Sequence, residues 1–472
     1  MNIFEEYSST MFPLNKSHHW KPPTEPQNFS YLVFSVLLGF SIFVFERYLS
    51  ARQRRLLHDP NPPRPLIDSL SKIDKTSSDS EKSILKDAEE KFSKTQDYSL
   101  AKSTFEFISS TISQMISIGA TLCGLYPLLW DLSADIIGDP KMTIKMSIVF
   151  TAMTVLFEEF ISLPFSIYNT FYLEHRYNFN KTTPLQFVKD KLKSLLLMAA
   201  IGTPVLITVI WVVEKGGKYF FIYLWAFLFV FALLMMTIYP VFIAPLFNKY
   251  EPLQKGELRT AIEDLAAKVS FPLKELYVVD GSIRSAHSNA YMYGFGKNKR
   301  IVLYDTLLTQ VKQPELVAIL GHELGHWKMG HTLRNFFVAQ VYTFLTLMGY
   351  GFVTGAVGEK LLGDFGFDST PPLPALLGIM LYMTAILAPL DHILSFCMNA
   401  LSRRYEFQAD AYAVGLGLGG ELQTGLCKIS LANLGNMNPD KLYSAYHYSH
   451  PPLVERLSAM MEKMERDSKK EE

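Results

Sequence analysis

Two histidines and a glutamate stand together in His322-Glu323-Leu-Gly-His326, the pattern H-E-x-x-H. Pro314, at a favourable first helical position, predicts that they lie on a helix. Helical residues four apart differ by roughly 40° in rotation, so both imidazoles reach one ion. Glu323 is turned about 100° from His322, where it can address a water on the metal without being a ligand. The segment predicts a metal site with a general base, although two histidines also occur on helices that bind nothing.

A second acidic segment could complete such a site. Zinc held by two histidines needs a further protein ligand and an open position for water. Glu406 and Asp410 are four apart on another helical pattern and share a face. We predict Glu406 as the third ligand and Asp410 as the acceptor of a ligand histidine N–H, which fixes the ring's tautomer. An exposed acidic pair on a surface helix has the same spacing, so this interpretation depends on the histidine motif.

These two segments and the stretch from Ser449 to Leu457, which reads S-H-P-P-L-V-E-R-L, resemble the integral-membrane CAAX prenyl protease family, type 1. Its members are zinc metalloproteases of the gluzincin type. The further matching stretches run from Glu46, so the resemblance covers nearly the whole chain. They are Glu46–Gln53, Leu163–Phe171, Asn178–Thr182, Ile243–Lys249 and Ser285–Tyr291.

The resemblance implies roles for four further residues. His450 and Arg456 would stabilise the oxyanion that forms when water attacks the peptide carbonyl. Asn289 and Ala290 would lie on an edge strand that pairs with the substrate backbone, whereas without the resemblance their segment reads as an aromatic turn.

His331 would lie about 140° beyond His326 on a continuous helix, and we do not predict it as a ligand.

Seven uncharged or nearly uncharged stretches are long enough to cross a bilayer, which takes about 20 residues. We therefore predict an all-α polytopic membrane protein that carries a small α+β gluzincin-like zinc metalloprotease domain. The resemblance implies that the seven transmembrane helices surround a chamber. The predicted spans are 27–45, 107–130, 146–172, 194–213, 219–248, 335–358 and 369–390.

The segments between the spans have separate predicted roles. A lumenal tail occupies 1–26, and spans one to five occupy 27–248, with a charged, solvated, partly helical cytosolic arm at 46–106. The cytosolic metalloprotease segment is 249–334, with short strands at 275–280 and 300–305 before the H-E-x-x-H helix. Spans six and seven occupy 335–390. The third-ligand helix and a cytosolic C-terminal segment follow at 391–472.

Composition agrees with a membrane protein. Hydrophobic residues make up 49% of the chain and charged residues only 19%. The formal net charge is zero, so nothing points to a nucleic-acid partner. The three cysteines are widely separated and form no C-x-x-C, which argues against a disulfide framework and against a thiolate zinc site.

Charge asymmetry predicts the orientation. The loop after span three carries five basic residues and the loop after span two only two. Basic loops face the cytosol, so the zinc-bearing segment should be cytosolic. Lys469 and Lys470 near the C-terminus resemble a dilysine retrieval signal. We therefore expect a location in the endoplasmic reticulum membrane or the inner nuclear membrane.

The resulting hypothesis is a one-zinc metalloendopeptidase. The resemblance implies that it removes the last three residues of prenylated CAAX proteins, with a second upstream cut in some relatives. A prenylated C-terminus partitions into the bilayer, where a membrane-embedded site can meet it. One alternative is a quality-control protease for misfolded or translocon-clogging proteins. Another is a zinc transporter or receptor, which would have no need of a general base such as Glu323.

The orientation can be tested at two N-x-[ST] glycosylation acceptors, Asn15-Lys-Ser17 and Asn180-Lys-Thr182. Only Asn15 lies on the predicted lumenal side, so Asn180 should carry no glycan in a microsomal translation assay. A glycosidase-sensitive shift that disappears in Asn180→Gln would contradict the predicted orientation.

Overall fold

The computed structural model describes residues 30–76, 83–294, 296–368 and 373–471. The predicted lumenal tail at 1–26, with Asn15, lies outside these ranges. The N-terminal half of the described chain is helical. Its helices are α1 (Tyr31–Leu57), α2 (Arg64–Thr76), α3 (Ile84–Leu122), α4 (Leu125–Ile137), α5 (Thr143–Tyr168), α6 (Pro184–Leu197), α7 (Thr203–Lys215) and α8 (Phe220–Ile238).

A mixed segment of strands and short helices follows. It contains β1 (Tyr250–Pro252), α9 (Glu257–Lys268), β2 (Leu273–Val279), β3 (Ala290–Tyr293), β4 (Lys299–Tyr304), α10 (Asp305–Gln310) and α11 (Gln313–Lys328). The remaining described chain is again helical. It consists of α12 (His331–Asp364), α13 (Ala375–Leu381), α14 (Ala388–Gly415), α15 (Gly419–Ala432), α16 (Lys441–His447) and α17 (Leu453–Glu471).

Six stretches of the described chain are long and apolar enough to cross a membrane as they stand. A seventh results if α3 and α4 form one span bent by 61°. Gly124, in the left-handed conformation at φ 68°, stands at that bend. The prediction of seven spans agrees with this count. The six are Tyr31–Leu57, Thr143–Glu174, Pro184–Lys215, Gly217–Leu246, His331–Asp364 and Ala375–Gly415.

The four strands form one sheet in the order β1-β2-β4-β3. Strand β2 runs parallel to β4, and both outer pairings are antiparallel. The two strands predicted from the sequence are confirmed as β2 and β4, and the segment that carries Ala290 forms the edge strand β3. A small sheet therefore precedes the H-E-x-x-H helix α11, as expected.

One buried cluster joins the sheet to the surrounding helices. It includes Ile301 and Leu303 of the sheet together with Leu316, Leu320 and Leu324 of α11, all almost completely buried. Burial of such side chains contributes about 1.5–3 kcal/mol each. The cluster thus fixes α11 firmly against one face of the sheet.

The prediction that 46–106 is a solvated arm is wrong for its middle part. Leu66 and Leu70 of α2 and Ala88 and Phe92 of α3 are buried in the same cluster as the sheet and α11. Charge counting missed this because α2 and the start of α3 are amphipathic: their charges face outward while their apolar residues pack against the protease segment. The middle of the 46–106 segment therefore packs against the elements that position the site.

One motif helix is joined to a membrane span by a short turn, and the other is part of a span. Only Met329 and Gly330 separate α11 from the span that starts at His331. Glu406 and Asp410 lie on α14, which belongs to the last candidate span. The site is therefore built where membrane helices meet the protease segment.

Candidate metal centre

The close approach of α11 and α14 brings the two motifs together. A Cβ atom at Gly325 would lie 3.1 Å from Cα of Ala409 and 3.2 Å from the side chain of Tyr412. Contacts at that distance are tight, so the glycine in the second variable position of H-E-x-x-H allows the two helices to pack this closely. As a result, His322 and His326 lie opposite Glu406.

The three predicted ligands converge. His322 Nε2 and His326 Nε2 are 3.2 Å apart, and Glu406 Oε1 lies 3.2 Å from His326 Nε2. Glu406 Oε2 lies 3.5 Å from His322 Nε2, is buried and has no hydrogen-bond partner. Two nitrogens bound to one zinc ion in tetrahedral geometry are ~3.3 Å apart. The spacing and the unsatisfied carboxylate oxygen therefore fit one divalent cation.

Asp410 fixes the orientation of the first histidine. Its Oδ1 lies 2.8 Å from His322 Nδ1, and only 1% of the residue is exposed. An ionised carboxylate can only accept a hydrogen bond, so His322 Nδ1 carries the proton. His322 Nε2 then keeps its lone pair for a metal. This geometry is the one required for the predicted role of Asp410, which is to accept a hydrogen bond from the N–H of a ligand histidine.

The surroundings of His322 favour a positive charge. Burial alone lowers the pKa of His322, but its hydrogen bonds with Asp410 and Glu406 outweigh burial and raise the pKa to about 9. The same carboxylates that would hold a proton there would also stabilise a cation.

His331 orients the second ligand histidine, a role that the sequence did not predict. Its Nδ1 lies 3.0 Å from His326 Nδ1, and its Nε2 lies 2.9 Å from Gln408 Oε1. Because the amide oxygen only accepts, His331 Nε2 donates to it and His331 Nδ1 accepts from His326. His326 Nε2 is thereby left free for the metal. The ring also stacks on Tyr405 at 4.0 Å.

The prediction left His331 out because it assumed a continuous helix. Helix α11 ends at Lys328, and Gly330 has φ 67°, so the chain turns before α12 begins at His331. Gly330 was the available signal, because a glycine in this position often ends a helix. His331 is indeed not among the converging ligands, but it contacts one of them.

Glu323, which was predicted as the general base, adjoins His322 on α11. Burial of its carboxyl group raises its pKa, and the neighbouring His322 and His326 oppose that shift. The side chain itself remains partly exposed. A carboxylate with a raised pKa is a better proton acceptor than an ordinary surface glutamate.

His450 and Arg456 both reach Glu406. His450 Nε2 lies 3.4 Å from Glu406 Oε1, and its side chain is 66% exposed at the rim of the site. Arg456 is almost fully buried, and its Nη1 lies 3.4 Å from Glu406 Oε2. Its Nε and Nη2 donate to Asp410 at 2.8 and 2.6 Å. Arg456 therefore also supports the carboxylate that orients His322.

Asn289 and Ala290 lie at the free edge of the sheet. Strand β3 pairs with β4 on one side, and among the described residues its other side pairs with no strand. Ala290 and Met292 pack against the cluster that contains Leu320 and Leu324 of α11. An extended peptide could add to this edge beside the motif helix.

Comparison with known proteins agrees with this architecture. Residues 54–249 match the family described as CAAX prenyl protease N-terminal, five membrane helices. Residues 252–464 match peptidase family M48. The two matches divide the chain where the sheet begins.

Relatives match over nearly their whole length. A CAAX prenyl protease 1 homolog of Arabidopsis thaliana is 45% identical, with 90% of this chain and 96% of that protein aligned. A homolog of Homo sapiens is 37% identical, with 93% and 97% aligned. The crystal structure of S. mikatae Ste24p has a TM-score of 0.81 at 35% identity and covers 93% of this chain and 100% of its own.

The fold and the site together define a multi-pass membrane metalloprotease. The chain belongs to peptidase family M48, among the CAAX prenyl proteases. The hypothesis of a transporter or receptor is thereby set aside in favour of an enzyme.

Replacing His331 tests its effect on the metal. His331→Ala should weaken zinc binding by about 10–100-fold, because His326 loses the acceptor that fixes its tautomer. Affinity is measured by competition with a chromogenic chelator. The matched control is His175→Ala, at an exposed histidine, which should bind zinc as the parent does. Equal affinities in both variants would show that His331 does not position a ligand.

Proposed function

We propose that the protein is a zinc endopeptidase that removes the three C-terminal residues of prenylated CAAX proteins. The observation that carries the proposal is the convergence of His322, His326 and Glu406 next to the membrane spans: the histidine helix is joined to one span by a two-residue turn, and Glu406 lies on another. A substrate anchored in the bilayer by its prenyl chain would reach such a site without leaving the membrane. The relatives are named CAAX prenyl proteases, which agrees with this proposed substrate class.

In this proposal His322, His326 and Glu406 hold one zinc ion. When bound, zinc increases the acidity of a water molecule and polarises the scissile carbonyl. Glu323 accepts the proton of the attacking water and passes it to the leaving amine. Asp410 and His331 keep both imidazoles in the tautomer that a metal needs.

The oxyanion that develops on the scissile carbonyl requires donors. His450 is exposed at the rim and is bound through Nδ1 to Ser449 Oγ at 3.0 Å. With Nδ1 accepting from Ser449, Nε2 carries the proton, and this N–H, which lies 3.4 Å from Glu406 Oε1, would donate to the oxyanion. Arg456 contributes a fixed positive charge behind Glu406, and Asn289 and Ala290 hold the peptide in extended form at the strand edge.

We place the enzyme in the endoplasmic reticulum membrane or the inner nuclear membrane, with the zinc site on the cytosolic side. The support is the excess of basic residues at 173–193, between the third and fourth spans as predicted from the sequence. Prenylated protein C-termini would meet the site on the face where the basic loops lie.

Replacing Glu323 by glutamine tests the mechanism. The amide keeps the size of the side chain but cannot accept a proton, so cleavage of a farnesylated CAAX peptide should fall by about 10²–10⁴-fold. Zinc content should stay at the parent's level, because the three ligands remain. The measurements are product mass and zinc per protein.

Two outcomes would contradict the proposal. Undiminished cleavage by Glu323→Gln would remove Glu323 from its role. A parent enzyme that cleaves unfolded, unprenylated proteins but no farnesylated CAAX peptide would favour the quality-control alternative.

A further inference from the structure

The two faces of the sheet differ in chemistry. Strand partners in register point to the same face, and neighbours along a strand point to opposite faces. Leu303 and Ile301 face α11 and the main cluster, opposite Ala290 and Met292 of β3. The other face is rich in tyrosine. Its tyrosines are Tyr250, Tyr277, Tyr291, Tyr293 and Tyr304.

Four of these tyrosines, which we term the tyrosine face, form one connected surface: Tyr250, Tyr291, Tyr293 and Tyr304. The hydroxyl groups of Tyr250 and Tyr291 are 3.0 Å apart and bond to each other. The Tyr291 ring lies 6.3 Å from that of Tyr293 and 6.5 Å from that of Tyr304. All four remain half-buried, so ring surface is still accessible.

A cation of the neighbouring strand β4 is directed onto this surface. The Arg300 guanidinium lies 5.6 Å over the centre of the Tyr293 ring. In this cation–π contact the positive charge of Arg300 interacts with the face of the Tyr293 ring. Because one hydroxyl group of the Tyr250–Tyr291 pair donates to the other, both phenol tips are engaged, and the surface offers mainly ring carbon to a ligand. Such a surface suits a hydrocarbon, and an unsaturated one above all.

The tyrosine face also lies beside both the membrane and the site. The fifth candidate span ends at Leu246, and β1, which carries Tyr250, begins only four residues later. Tyr291 and Tyr293 stand on β3, the strand with the free edge. A peptide that adds to this edge directs alternate side chains to the tyrosine face.

We propose that the tyrosine face binds the isoprenoid chain of the substrate's prenylated cysteine. The inference rests on the proposed function, which places that cysteine next to the scissile bond. The surface spans the sheet from β1 to β3, ~14 Å at normal strand spacing. That width suits an extended hydrocarbon chain better than any single amino-acid side chain, and the membrane end of the site is where such a chain would arrive.

The test compares a farnesylated CAAX peptide with the same peptide carrying an S-methylated cysteine, using the full-length purified enzyme. Tyr293→Ala should raise KM for the farnesylated peptide by about 10-fold. Tyr293→Phe should restore most of the loss, since it keeps the ring. KM for the methylated peptide should not change in either variant. Tyr223→Ala, at an exposed tyrosine of the fifth span, is the control and should match the parent with both peptides.

A binding measurement keeps the test independent of turnover and of folding defects. A farnesyl analogue that carries a benzophenone group is photolysed with the parent enzyme, and the labelled residues are mapped by mass spectrometry. Labelling at 250–252 or within 290–304, where the tyrosine face lies, supports the proposal. Labelling confined to other segments overturns it, as does an equal rise in KM for both peptides after Tyr293→Ala. If the parent cleaves neither peptide, the proposed function fails, and the labelling still decides whether the tyrosine face binds an isoprenoid.

Discussion

The Asp410 carboxylate is the interaction on which the geometry of the site depends. It accepts from His322 Nδ1 and from two nitrogens of Arg456 in an almost fully buried position. A buried carboxylate is stable only when it is paired and hydrogen-bonded, and here the guanidinium supplies both. On the other side of the site, His331 Nδ1 accepts a hydrogen bond from His326 Nδ1, and no charged group is involved. With both Nδ1 atoms engaged, the two Nε2 atoms face each other and Glu406, and one bound cation would satisfy all three.

The membrane spans and the protease segment share structural elements. Only two residues separate the end of the motif helix from the start of α12, and α14, which belongs to a candidate span, carries the candidate ligand Glu406. Helix α2 and the first turns of α3, which lie between the first span and the apolar part of the second, pack into the same core as the sheet. The position of the site relative to the bilayer is therefore determined by rigid helices. A substrate anchored in the membrane would meet the strand edge, the metal ligands and the tyrosine face at fixed distances.

Much of this could be predicted from residue spacing. His322, His326 and Glu406 were identified because helical periodicity places residues four apart on one side, and the apolar runs gave the spans. His331 was missed because periodicity cannot be extended across a helix end, and Gly330 marks one. The burial of Phe92 was missed because a charged sequence does not show which amphipathic face meets another segment. The support that Arg456 gives to Asp410 depends on a contact between residues 46 positions apart, which no local pattern contains.

The central claim is that a metal is held by two histidines and Glu406, and zinc stoichiometry tests it most directly. Purified parent protein, Glu406→Ala and Glu421→Ala are dialysed against the same zinc buffer, and zinc per protein is measured by mass spectrometry. Glu421 is an exposed glutamate on the next helix, so its variant is the matched control. The account predicts about one zinc in the parent and in Glu421→Ala and little in Glu406→Ala, because two histidines alone hold zinc poorly. Full zinc occupancy in a folded Glu406→Ala protein would contradict the proposed ligand set.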